Sequence, residues 1–112
     1  ADIAQVEFPP ESFDLVHARA VLTHVPDRDR TIARMTTWLR PGGWLVVTDP
    51  ASFPVDSSPY PLVRRAGGAA AEVARRMLGT DPAWARTFPR PLIAAGLVDV
   101  DAERVAFVSG WR

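Results

Sequence analysis

Two histidines, His17 and His24, are the side chains of this sequence that can exchange protons near neutral pH. His24 stands in a loop after an apolar run, where it could act as a general base for an acceptor that loses a proton. His17 lies within the run, and we predict a packed residue there. There is no cysteine, which excludes thiol catalysis and thiolate metal sites. Two histidines without cysteine do not favour a metal site, so none is predicted.

A strand, a helix and a second strand are predicted around these histidines. The first strand covers Phe13–Ala20 and the second covers Trp44–Thr48. Neither run alternates polar with apolar residues, so we predict that both strands are buried on two faces, as in a parallel sheet covered by helices. Ligands bind beyond the carboxyl ends of such strands, here about Ala18–Ala20 and Thr48–Asp49.

The helix between these strands has a defined start and a defined end. Asp27 is a suitable N-cap. The run Arg40–Gly43 ends the helix, because proline cannot continue it and glycine permits the positive φ of a turn. Arg30 and Arg34 are predicted to face water. The face toward the sheet is predicted from three apolar residues at helical spacing, Ile32, Met35 and Leu39.

The second half of the sequence is predicted to be helical and then extended. A helix is predicted over Val63–Leu78, and both a lid over a bound acceptor and an ordinary covering helix remain open for it. A further helix is predicted to start at Thr80–Pro82 and, after a break, to resume over Leu92–Ala95 and end at Gly96. Leu97–Ser109 is rich in valine, which predicts one long strand or a hairpin.

Composition and charge exclude several classes of protein. The 112 residues carry no net charge, and 47% of them are hydrophobic and 23% charged, as in an ordinary soluble protein. All thirteen basic residues are arginines scattered along the chain, which argues against binding to nucleic acid or to a membrane surface. No apolar run approaches the roughly 18 residues of a membrane span, so a cytoplasmic protein is expected.

Three runs of the first half form a specific pattern when they are taken together. They are Glu11–Val16, Val21–Asp27 and Leu39–Gly43, and they are preceded by Asp2. This pattern resembles the class I S-adenosylmethionine-dependent methyltransferases, most closely their small-molecule, type 11-like branch. Ala94–Val100 resembles the family's following helix and strand more loosely.

The resemblance implies an α/β fold in which a mostly parallel, Rossmann-like sheet lies between two layers of helices. In the family order, Phe13–Ala20 would be the fourth strand, Trp44–Thr48 the fifth and the run from Leu97 the sixth. The family's glycine-rich turn after the first strand and its acidic residue after the second strand have no counterpart here. Residues 1–112 are therefore interpreted as the C-terminal part of a single methyltransferase domain.

The resemblance also implies S-adenosylmethionine as the cofactor and indicates three residues that would contact it. Asp2 would accept a hydrogen bond from the adenine amino group, and Ile3 would offer its backbone N–H and an apolar contact to the ring. Arg19 would contact the cofactor through its backbone, because its guanidinium and the sulfonium would repel each other. For Asp2 and Arg19 the alternative is an ordinary solvated side chain.

Two further residues lie near the point where cofactor and acceptor should meet. His24 is the candidate catalytic residue, although histidine at this family position need not be catalytic. Asp49, at the end of the second strand, could touch the acceptor or could be a solvated residue at the start of a loop.

The predicted function is S-adenosylmethionine-dependent methyl transfer to a small-molecule acceptor, by an enzyme of which this fragment alone would be inactive. One alternative is a non-catalytic, truncated remnant that is stable only through pairing with itself or a partner. Another is a nucleotide-binding Rossmann-like protein such as a dehydrogenase, against which Leu39–Gly43 favours a methyltransferase. The sequence predicts neither the acceptor nor the oligomeric state.

Overall fold

The computed structural model describes residues 2–51 and 55–105. Two strands and three α-helices, with three short 3₁₀ helices between them, make up this part of the chain. In chain order they are β1 (Phe13–Arg19), a 3₁₀ helix (Leu22–His24), α1 (Arg28–Trp38), β2 (Leu39–Thr48), a 3₁₀ helix (Val55–Ser57), α2 (Pro61–Leu78), a 3₁₀ helix (Trp84–Thr87) and α3 (Arg90–Ala94).

The predicted strand–helix–strand unit is confirmed. β1 and β2 are parallel neighbours, with Ala18 opposite Val47 and Arg19 opposite Thr48. Asp27 caps α1 by accepting a hydrogen bond from the backbone N–H of Arg30 at 3.4 Å. The core lies between the sheet, α1 and the segments that follow α2, and its buried residues are Ala18, Leu22, Ile32, Met35, Trp38, Trp84 and Leu92.

β2 starts earlier than predicted. Its first residue, Leu39, already pairs with Phe13, whereas Leu15 pairs with Trp44. Residues 40–43 therefore stand opposite a single residue of β1, and the pairing is irregular there. Gly42 has φ +78° in this stretch, which is the positive φ that the sequence predicted for a turn. The turn is thus present, but it lies inside the strand because Leu39 pairs before it.

Only one face of the sheet is buried by the described residues. Ala18 is 3% exposed on the face toward α1. On the other face Leu15 is 56% exposed, Trp44 62% and Val46 42%. The prediction that both strands are buried on two faces is therefore wrong for the described residues, which form two layers and not the three of the predicted α/β/α arrangement. A continuous apolar run indicates that a strand is suited to burial on both faces, but it does not indicate which part of a protein covers each face.

α2 is continuous through Gly67 and Gly68, and it begins with Pro61 at its first position, where the missing N–H costs no hydrogen bond. It ends at Gly79, whose φ is +66°. None of its residues whose exposure is described is buried, although its sequence is strongly amphipathic. No helix among the described residues is both long and apolar enough to cross a membrane.

The segment after α2 departs from prediction in two ways. The helix expected from Thr80–Pro82 is only the 3₁₀ helix Trp84–Thr87. The strand or hairpin expected over Leu97–Ser109 is not formed by residues 97–105, and residues 106–109 lie outside the described ones. The sheet therefore has two strands in the described part of the chain, without the predicted third. Leu97 and Val100 instead pack on the core from an irregular segment.

Candidate functional site

A cavity of about 490 Å³ lies at the carboxyl end of β1. This is the end of a parallel strand at which ligands bind in α/β proteins. Its volume lies within the usual range of about 300–1,000 Å³ for small-molecule sites. The cavity is lined by Asp2, Ile3, His17, Ala18, Ala20, Val21, His24, Val25 and Met35.

Asp2 and Ile3 reach this cavity from a turn at the start of the chain. The backbone carbonyl of Asp2 accepts hydrogen bonds from the N–H groups of Gln5 and Val6, both at 2.9 Å. Its Oδ1 accepts from the N–H of Ala4 at 2.9 Å. Asp2 is exposed, whereas Ile3 is half-buried and packs against the core. The turn thus brings Asp2 and Ile3 to the lining of the cavity.

His24 reaches the same cavity from the 3₁₀ helix that follows β1. Its Nδ1 lies 3.0 Å from Oγ1 of Thr80, which is buried after the end of α2. If Nδ1 carries the ring proton and donates to Thr80, Nε2 is left as an acceptor, which is the form a general base needs. The geometry is therefore compatible with the role predicted for His24.

Arg19 and Asp49 do not line the cavity. Arg19 is exposed, and the residues on either side of it, Ala18 and Ala20, line the cavity in its place. The carboxylate Oδ1 of Asp49 accepts a hydrogen bond from the N–H of Thr23 at 3.1 Å. Asp49 thereby ties the end of β2 to the loop after β1.

His17 differs from its prediction. It was expected to be packed within the strand, but it is exposed and lines the cavity. Its strand position explains this, because residues 15, 17 and 19 point to the face of the sheet that the described residues leave uncovered.

Two arginines of α1, Arg28 and Arg34, make contacts that the sequence did not predict with segments next to the cavity. Arg34, predicted to face water, has a side chain only 18% exposed, so that prediction is wrong. One terminal nitrogen of Arg28 donates to the carbonyls of Thr23, at 2.7 Å, and of Gly79, at 2.8 Å. Gly79 lies 51 residues from Arg28, and Ala4, which Arg34 binds, lies 30 residues from Arg34. The helical pattern of α1 alone therefore gave no signal for these contacts.

A second cavity, of about 400 Å³, lies at the opposite end of the sheet, between residues 39–44 and residues 95–99. None of the predicted site residues lines it, and it is not at the carboxyl ends of the strands, so we do not place the site there. Within residues 2–51 and 55–105, no group of three or more histidine, aspartate or glutamate side chains could hold a metal ion.

Comparison with known proteins identifies similarity in the first half of the chain. Residues 1–47 match a family model described as a methyltransferase domain. This range contains Asp2, Ile3, Arg19 and His24 and ends within β2. No solved structure gave a significant match to the chain.

Several methyltransferases are similar to parts of this chain. Methyltransferase str3 of Strobilurus tenacellus is 50% identical over 42 residues, which are 38% of this chain and 15% of that protein. Phosphoethanolamine N-methyltransferase 3 of Arabidopsis thaliana is 34% identical over 59 residues, 53% of this chain and 12% of that protein. The 27-O-demethylrifamycin SV methyltransferase of Amycolatopsis mediterranei is 38% identical over 63 residues, 51% of this chain and 23% of that protein. The matched stretches thus span less than a quarter of each relative, and they confirm the resemblance to class I S-adenosylmethionine-dependent methyltransferases.

Proposed function

We propose that this chain, similar over residues 1–47 to methyltransferase domains, binds the adenosine part of S-adenosylmethionine and takes part in methyl transfer to a small-molecule acceptor. The observation that carries the proposal is the convergence of Asp2, Ile3 and His24 on one cavity at the carboxyl end of β1. These residues come from two segments that are separated by the whole of β1. Their shared position is what a site at this end of a parallel sheet requires.

The residues of the cavity suit an adenine ring. Among the described residues, Asp2 Oδ2 has no hydrogen-bond partner, since the contact to Ala4 uses Oδ1. Oδ2 is therefore available to accept a hydrogen bond from an exocyclic amine. Apolar side chains of Ile3, Val21 and Met35 line the same space and can contact the faces of a ring.

When bound, S-adenosylmethionine would supply an electrophilic methyl group on a sulfonium. The acceptor's lone pair would form the new bond to the methyl carbon as the carbon–sulfur bond breaks, and the sulfur would keep that electron pair. Such an in-line displacement depends chiefly on holding the reactants in position. The contribution of this chain would therefore be to bind and orient the reactants. Asp2 and Ile3 would hold the adenine, and the backbone at Arg19 would contact the cofactor.

His24 would act on the acceptor and not on the cofactor. An acceptor that loses a proton on methylation needs a base within hydrogen-bond reach, and Nε2 of His24 is the atom available for it when Nδ1 donates to Thr80. An acceptor with a free lone pair and no proton to lose needs no such base. The assignment of β1 and β2 as the fourth and fifth strands of the family order belongs to the same proposal.

The proposal is tested on the 112-residue chain with S-adenosylhomocysteine, the demethylated product, in a titration followed by ¹⁵N–¹H correlation spectra. We expect concentration-dependent shifts of the amides of Ile3, Ala20 and His24. Because the family's glycine-rich turn has no counterpart in these residues, the affinity should be no tighter than about millimolar, roughly 4 kcal/mol of binding free energy.

Asp2→Ala should weaken ligand binding, followed at the amide of Ile3, by about 1–3 kcal/mol, because the adenine amine loses its charged acceptor. Asp29→Ala is the matched control, since Asp29 is exposed in the first turn of α1 and does not line the cavity. Shifts confined to residues outside the cavity, or an equal response in both variants, would show that the adenine site is not here. Micromolar affinity would show that the glycine-rich turn is dispensable.

A further inference from the structure

The guanidinium of Arg34 joins α1 to the first residues of the described chain. Nη1 donates to the carbonyl of Ala4 at 2.5 Å, and Nη2 donates to the carbonyl of Val6. Nη2 also lies 3.2 Å from Oε1 of Glu7. The Arg34 side chain is 18% exposed, so it is not an ordinary surface charge. Three contacts from one side chain therefore fasten residues 4–7 to the helix.

The carbonyls that Arg34 binds belong to the turn that carries Asp2. The carbonyl of Asp2 accepts from the N–H groups of Gln5 and Val6, and its Oδ1 accepts from the N–H of Ala4. Residues 2–6 are thus one hydrogen-bonded unit, with Asp2 on one side and the Arg34 contacts on the other. Displacement of the carbonyls of Ala4 and Val6 would displace Asp2 and Ile3 with them.

The contacts depend on the shape of the arginine fork and not only on its charge. Two terminal nitrogens in one plane reach two carbonyls at once, which the single nitrogen of lysine does not do with the same geometry. The guanidinium carbon also lies 5.9 Å from the centre of the Trp38 ring, which restricts the side chain from the helix side. The ion pair with Glu7 adds little, because the Glu7 side chain is 76% exposed.

We infer that Arg34 is a positioning residue for the adenine side of the site: it holds the Asp2 turn on α1 and so fixes the Asp2 carboxylate and Ile3 at the cavity. This inference rests on the proposed function. Arg34 itself does not line the cavity, so its effect on a ligand must pass through the turn. Its loss should disturb the Asp2 end of the cavity and leave the His24 end in place.

The test compares Arg34→Ala and Arg34→Lys with Arg30→Ala, a control that removes an exposed arginine from the same helix. Backbone relaxation of residues 3–7 gives the first measurement. In Arg34→Ala the order parameters there should fall from about 0.85, typical of rigid backbone, to below about 0.6. Arg34→Lys should give intermediate values, and Arg30→Ala should match the unchanged chain.

The second measurement is the response to S-adenosylhomocysteine at two amides. In Arg34→Ala the initial slope of the shift at Ile3 against ligand concentration should fall about five- to tenfold, less than for full loss of a charge-assisted hydrogen bond, because Asp2 is displaced and not removed. The shift of the His24 amide with increasing ligand, referenced to the free state of the same variant, should keep its direction. A general loss of folding would change both amides together, so the split distinguishes positioning from a merely structural role.

The outcomes separate the inference from the proposed function. No response at Ile3 in the unchanged chain overturns the proposed function and with it the ligand role of Arg34. A normal response there with unchanged relaxation and unchanged slope in Arg34→Ala overturns the inference alone. If Arg34→Ala does not fold, Arg34→Lys decides: relaxation and ligand response equal to those of the unchanged chain would overturn the inference, and loss at residues 3–7 alone would support it.

Discussion

α1 and α2 are both amphipathic, but only α1 buries its apolar face. The 11 residues of α1 include four buried ones, Thr31, Ile32, Met35 and Trp38. The 18 residues of α2 include none among those described. α1 connects two parallel strands that pair with each other, so it packs on the sheet that they form. α2 packs beside the short 3₁₀ helix before it and is fastened near its C-terminal end.

The comparison separates the stability that a helix gains from its own sequence from the stability that it gains by packing. α2 has proline at its first position, a left-handed glycine after its last residue, and ion pairs from Glu72 to Arg75 and Arg76. Such local features contribute tenths of a kcal/mol to about 1 kcal/mol each. A buried apolar face contributes more, because each large side chain removed from water stabilises by about 1.5–3 kcal/mol.

The two methionines of the chain test this difference directly, since one lies in each helix. Met35 in α1 is 2% exposed and Met77 in α2 is 78% exposed. Met35→Ala should lower the free energy of unfolding by about 2–5 kcal/mol, because it leaves a cavity in the core. Met77→Ala should change it by less than about 0.5 kcal/mol. Urea denaturation followed by circular dichroism measures both.

Equal losses in these two variants would contradict the comparison. They would mean that α2 buries Met77 in solution, against a partner or a second copy of the chain. The same denaturation curves at two protein concentrations would then differ for the unchanged chain, since association stabilises by mass action.

The difference between the helices also marks what could be predicted from the sequence. The start of α1 at Asp27 and the positive φ of Gly42 were predicted because each depends on neighbours within a few residues. The two buried faces predicted for the strands were wrong, because an apolar run such as Leu15–Val16 does not say whether its cover lies within the described chain. The third strand was wrong over residues 97–105 for a similar reason, since Val98 and Val100 suit a strand only if a neighbouring strand is there to pair with them.

For the site, the sequence predicted which residues to examine but not what holds them. The convergence of Asp2 and His24 on one end of the sheet followed from the family pattern and from strand direction. The roles of Arg34 and Arg28 did not, because Ala4 lies 30 residues from Arg34 and Gly79 lies 51 residues from Arg28 in the chain. Arg34 stands on the flank of the apolar stripe of α1, where periodicity alone does not distinguish a solvated arginine from one that binds distant carbonyls.

Arg28 provides the next test, since it links α1 to the end of α2. Arg28→Met keeps most of the apolar stem but leaves the carbonyls of Thr23 and Gly79 without this donor. We expect a loss of about 1–3 kcal/mol in the free energy of unfolding. The amide of Asp81, which donates to Thr23 at 2.9 Å, should also exchange its hydrogen faster. Arg30→Met is the matched control and should change neither quantity.

Unchanged exchange at Asp81 in Arg28→Met would show that α2 is attached by other contacts. One candidate is the approach of Gly79 to Pro26, where an added Cβ would lie 2.8 Å from Cγ of the proline. Pro26→Ala in the Arg28→Met background would then release the segment that neither change releases alone.

The smallest expected effect concerns the two adjacent glycines in the middle of α2. An added Cβ at Gly68 meets no atom within 4 Å, so Gly68→Ala should stabilise the helix by about 0.5–1 kcal/mol through its higher helix propensity. An added Cβ at Gly67 would overlap Cγ1 of Val55 and lie 3.0 Å from its Cβ. Gly67→Ala should therefore show no such gain, because Val55 or the helix must move.

A double-mutant cycle distinguishes this contact from a general intolerance of substitution in α2. In a Val55→Ala background the overlap with Cγ1 is removed and only the 3.0 Å approach to Cβ remains, so Gly67→Ala should now stabilise, though by less than Gly68→Ala, and the coupling between positions 55 and 67 should be about 0.5–1 kcal/mol. Far-UV circular dichroism during thermal unfolding measures all four variants of the cycle. A gain from Gly67→Ala with Val55 in place would show that α2 does not rest on Val55–Ser57. The contact at its C-terminal end, where Arg28 binds the carbonyl of Gly79, would then be the more important attachment of α2.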